Sequence, residues 1–138
     1  MIISILYLLE GVWGRTYLQK LLFLLNTEVY HGTIFAFKEY KYGPFSIDIN
    51  TAVTRLHDEH IIEEHIERTK GTAIGYRYNL TYKGRQLARQ IIEKQLTVKE
   101  KKSLIEYTSR FRQYTPTELL LHVYHKYPEF TRYSIFEK

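Results

Sequence analysis

The run Leu18-Gln19-Lys20-Leu21-Leu22-Phe23-Leu24-Leu25 narrows what this chain can become. Leu18, Leu21, Leu22, Leu25 and Val29 recur at helical spacing, and Phe23 and Leu24 widen the stripe. A helix apolar on most of its sides is buried on most of its sides, so other elements must wrap it. Thr16 with Gln19 three residues on reads as the capping box that opens this helix. Before it, Ile2–Glu10 reads as a first helix, with Gly11 and Gly14 forming the turn between the two. The apolar opening stops at Glu10, far short of the ~20 residues a bilayer span needs, so it predicts a core helix and no membrane segment. It also lacks the basic start and small-residue cleavage site of a signal peptide.

The rest of the chain supplies the wrapping. Phe35–Tyr40 is rich in aromatics and reads as a short strand or extended arm, ended by Gly43-Pro44. Ser46 caps a third helix with Ile49, Ala52, Val53 and Leu56 inward, and Asp48, Asn50, Thr51, Thr54, Arg55 and Asp58 outward. Ile61–Arg68 and Tyr76–Leu80 read as the strands of a β-hairpin. Thr81 caps a fourth helix to about Lys94, with Leu87, Ile91 and Ile92 inward. Thr97 with Glu100, and Thr115 with Glu118, are two more capping boxes, the second with Pro116 at the first helical position. They open helices running to about Tyr114 and Tyr127. The expected class is α+β: a winged-helix-like core, helices plus a small antiparallel sheet with a β-hairpin wing, over residues 1–95. Residues 96–138 form extra C-terminal helices packed on the same core. A chain of 138 residues suits one such core.

Charge is split along the chain. Residues 1–67 hold five Lys/Arg and nine Asp/Glu; residues 68–138 hold fifteen and six. The second half therefore faces something anionic, pairs with the acidic half of a neighbouring copy, or carries a solvated lysine-rich helix surface. Cysteine is absent, which excludes disulfides, thiol nucleophiles and cysteine-ligated metals, and fits a cytoplasmic location.

Three stretches carry a family resemblance: "LQKLLFLL", "YKYGPFSIDINTAVTRLHDEHII" and "YRYNLTYKGRQLA". Together they resemble the prokaryotic winged-helix-like proteins around the Panacea (SocA-like) antitoxin domain and its YwgA-like relatives, over roughly residues 1–90. The resemblance implies either neutralisation of a toxin by protein contact or the DNA binding common among winged helices. It brings no catalytic residue. The chain departs from the pattern at His60, where many winged helices have glycine before the apolar strand.

Residues 44–60 contain one Arg against Asp48, Asp58 and Glu59, and phosphates would be repelled by that face. Asn50 and Arg55 are its only base-reading side chains. About fifteen residues separate the second and third helices, where a helix-turn-helix uses about three to four. Nucleic acid is expected instead on a basic wing and the helix after it, at Arg68, Lys70, Arg77, Lys83, Arg85 and Arg89. The alternative is a protein partner, gripped by the tyrosine-rich strand and the acidic third helix at Tyr40, Tyr42, Asp48, Arg55 and Asp58. Two copies pairing as a homodimer would place two wings on one duplex. No phosphate loop, nucleophile elbow or zinc-protease signature occurs, so no enzyme and no cofactor are expected. His57, His60 and His65 stand near Glu63 and Glu64, but no spacing fixes a third metal ligand, and no metal is expected.

Overall fold

The helix with apolar residues on most sides lies in the middle. A computed structural model describes residues 1–68 and 74–131, with backbone alone at Arg68 and Ile74. The helices are α1 (Ile2–Leu9), α2 (Gly14–Glu28), α3 (Ile47–Asp58), α4 (Tyr82–Lys94), α5 (Val98–Phe111) and α6 (Pro116–Lys126). The strands are β1 (Val12–Trp13), β2 (Ile62–Arg68) and β3 (Ile74–Leu80), and a 3-10 turn covers Pro128–Thr131. The class is α+β, with a small three-stranded antiparallel sheet in the order β1-β3-β2.

Every residue of α2 from Tyr17 to Asn26 is buried. The helix packs against α5, α6, β1 and β3, while α1 packs against α4 and α5. Leu104, Phe111, Leu119 and Val123 from the last two helices join Ile5, Leu22 and Val53 in one apolar core. Phe23 adds edge-on aromatic contacts to Phe37, Tyr127 and Phe130, with ring centres 5.2, 5.1 and 4.9 Å away.

Helix starts with local chemistry match their sequence signals. The Ser46 hydroxyl accepts from the Ile49 N–H, the Thr81 hydroxyl from Gly84, and both later capping boxes are complete. The Thr16–Gln19 box is not formed. Helix α2 begins earlier, at Gly14, with Trp13 as a cap that makes no side-chain bond. Gln19 instead binds both backbone groups of Ser46: its Nε2 donates to the carbonyl and its Oε1 accepts the N–H, each at 2.9 Å. A buried amide takes such a pairing because leaving it unmet is costly.

Two further differences concern extended segments. Between Gly11 and Gly14 lies β1, whose partners Tyr78 and Arg77 are far along the chain. Of the short strand or extended arm expected at Phe35–Tyr40, no regular strand forms; a bridge of Lys38 with Phe45 closes a loop over the Gly43-Pro44 corner. Gly43 has φ 86, and a Cβ there would meet Leu120 Cδ1 at 2.8 Å. Lys20 Nζ donates to the Pro44 carbonyl at 3.0 Å, strapping the corner to α2. His60 takes the left-handed backbone, φ 60, at the place where glycine would be easier.

Candidate nucleic-acid interface

Residues of β3 alternate between two faces. Tyr78 and Leu80 are buried, so Arg77 and Asn79 lie on the opposite face. Helix α1 ends beside that face, with Glu10 in the left-handed region at φ 59. Its last carbonyls need donors, and arginines provide them. Arg77 Nη2 donates to Glu10 O at 3.2 Å, and Arg112 Nη2 donates to Leu8 O at 2.6 Å. Positive charge suits a helix C-terminus. Gly11 comes next, with φ 111, and a Cβ on it would collide with Asn79 Oδ1. The missing side chain lets β3 close against the end of α1.

Helix α4 forms the third wall. Arg85 Nη1 donates to Leu80 O at 3.3 Å, and Arg89 Nε donates to the Tyr7 hydroxyl at 3.3 Å. Arg77, Arg85 and Arg89 thus line one groove of about 660 Å³, with Leu6, Leu8 and Leu80 as its apolar residues and Glu10 and Glu63 as its carboxylates. Arg77 also lines a second hollow of about 200 Å³, which runs past Trp13 to Arg112 and Tyr114 and has no carboxylate in its lining. The Arg77 guanidinium lies 5.3 Å from the centre of a Trp13 ring. Among the described residues, Arg77, Arg85, Arg89 and Arg112 form no ion pair. Each is held through one or a few N–H groups by neutral oxygens, and a guanidinium has five. The site is a set of neighbouring cations with spare donors, a chemistry that matches phosphate oxygens.

The expected residues divide. Arg77, Arg85 and Arg89 meet in the groove. Lys83 is exposed on α4 but does not line it. Arg68 ends β2, and Lys70 lies outside the described residues. The two strands carry Glu63, Glu64 and Glu67 against Arg68 and Arg77, so the basic character sits on β3 and α4 and not on the described part of the hairpin as a whole. Arg112, Trp13 and Tyr7 were not singled out by sequence. They come from elements before and after the hairpin, and only the fold places them beside it.

The second set lies elsewhere. Tyr40 and Tyr42 are exposed, with Lys41 Nζ 5.8 Å from each ring centre. Asp48, Arg55 and Asp58 are exposed on α3, and Arg55 and Asp58 line a shallow groove of about 430 Å³. Asn50 and Thr54 on that face are engaged: Arg15 Nη1 donates to Asn50 Oδ1 at 2.7 Å and to Thr54 Oγ1 at 3.0 Å. His65 Nε2 lies 3.3 Å from Glu63 Oε1, and His57 Nδ1 lies 3.9 Å from Asp58 Oδ1. Among the described residues no three His, Asp or Glu side chains converge as metal ligands, and no helix is long and apolar enough to cross a membrane. No family model matches the chain, and no curated protein matches it.

Proposed function

We propose that the chain is a non-enzymatic regulatory binding module with a winged-helix-like centre, and that its β3–α4 face contacts nucleic acid. The element order supports such a centre: helix, strand, two helices and a hairpin, with β1 laid beside β3. The observation that carries the functional reading is the convergence of Arg77, Arg85 and Arg89 on one groove without an ion pair among the described residues. The three arginines outnumber the two carboxylates of that lining, Glu10 and Glu63, and the surplus positive charge favours a polyanion. The acidic outer face of α3 keeps that helix out of a major groove, so contact is through phosphates more than bases.

Anisotropy of a labelled oligonucleotide, followed across a salt titration, tests this. Binding should weaken steeply as salt rises, through counterion release. Arg85→Ala with Arg89→Ala should lower the slope of log K against log salt by about one to two, while Lys41→Ala leaves it unchanged. Binding without a salt slope, or none at low salt, overturns the proposal.

The exposed Tyr40 and Tyr42 and the carboxylates of α3 favour a second reading, a protein-binding module of antitoxin or adaptor kind. Under it, if a neighbouring gene's product is captured in a pull-down, Tyr40→Ala and Asp58→Lys abolish that capture and the arginine variants do not.

A further inference from the structure

The nucleic acid suited to this face is single-stranded. This inference rests on the nucleic-acid reading above and adds the strand state. We infer it from the aromatic rings that flank the arginines. Tyr82, Arg85 and Arg89 stand at i, i+3 and i+7 of α4, on one side of the helix. Tyr82 is 71% exposed on the first turn, open for a ring to stack on it. Beyond Arg89 and Arg85 comes Arg77, shared by both hollows, with Trp13 in contact with its guanidinium. Past Trp13 come Arg112 and Tyr114. Rings therefore bracket a run of three arginines, and a fourth arginine lies beyond Trp13 on the same track.

A duplex cannot use such a track. Its base faces are hidden in the stack, and it presents phosphates and base edges only. A single strand presents phosphates to the arginines and base faces to the rings together, which is how sequence-tolerant single-strand binders work. The surroundings discriminate further. Past Glu63 the surface belongs to β2, which carries Glu67 on the same face as Arg77 and Asn79. The second backbone of a duplex would meet Glu63 and Glu67.

The test compares labelled oligothymidylate of about 12 nucleotides, within the site sizes such binders cover, with a duplex of equal length at matched low salt. Trp13 is the only tryptophan in the sequence, so its emission reports on the middle of the track. The single strand should bind at least about tenfold tighter than the duplex and quench Trp13 saturably. Tyr82→Ala should weaken single-strand binding about five- to tenfold, in line with one lost stacking contact. Tyr82→Phe should keep the affinity, because stacking uses the ring and not the hydroxyl. Tyr82 is exposed, so neither change should disturb folding. Equal or tighter binding of the duplex, or an indifferent Tyr82→Ala with Trp13 emission unchanged, overturns the single-strand inference and leaves the nucleic-acid reading standing. Failure of both polymers to bind at low salt overturns both.

Discussion

Lys20 is 2% exposed, with its ammonium on the Pro44 carbonyl and no carboxylate paired to it among the described residues. Burial pushes its pKa down to about 7. In the unfolded chain the same amine stays protonated to near its ordinary value of 10.5. Between those values the folded state binds fewer protons than the unfolded one, so stability rises with pH through that window; below about 7 the burial penalty is present in full. The expected gain from pH 7 to 9 is on the order of 2 kcal/mol. Urea midpoints at the two pH values should show it in the native chain and not in Lys20→Met. Gly43 is the neighbouring constraint. Its positive φ and the nearness of Leu120 predict that Gly43→Ala costs about 1–3 kcal/mol, measurable by the same denaturation.

Helix α2 meets the C-terminal elements at Glu28. Burial alone would raise the pKa of this carboxyl, but hydrogen bonds from Lys126, Tyr107 and Tyr127 overcome it and hold the pKa below the ordinary range. Lys126 Nζ lies 2.7 Å from Oε2, the Tyr107 hydroxyl donates to Oε1 at 2.7 Å, and the Tyr127 hydroxyl donates to Oε2 at 2.8 Å. A depressed carboxyl stabilises the fold above its unfolded pKa and loses that contribution as pH falls through the folded one. Acid unfolding of Glu28→Gln should therefore be shallower on its low-pH limb than that of the native chain. Thr115→Ala, which removes the cap of α6, should cost about 1 kcal/mol at any pH. The contrast marks what sequence makes legible. A capping box is settled within four residues, so Thr97 and Thr115 could be read directly. Thr16 and Gln19 have the same spacing, yet Ser46, remote in sequence, takes the Gln19 amide. Strand β1 is a strand only because Tyr78 and Arg77 lie beside it. The groove follows the same rule: Arg77, Arg85 and Arg89 are close in sequence and visible as charge, while Trp13 and Arg112 join them only through tertiary packing.

Across the whole molecule, the last two helices share the core of the first four. Tyr17 donates its hydroxyl to the Phe111 carbonyl, and Leu104, Leu119 and Val123 lie in the cluster with α1 and α2. A fragment ending at residue 95 should fail to unfold cooperatively in urea, because it exposes the flank of α2 that α5 and α6 cover. The polar side chains along α2 have a further consequence. Arg15 holds α3, Gln19 and Lys20 hold the corner at Pro44 and Ser46, Asn26 holds the backbone at Ile34 and Phe35, and Glu28 holds α5 and α6. One buried rod is thus bolted to five separate parts of the molecule, and its side chains from Leu18 to Asn26 are closed to solvent. Its amides should be the last in the molecule to trade hydrogen for deuterium, all at the rate of complete unfolding, and any push on the arginine-lined flank would reach the opposite loop as a shift of the axle.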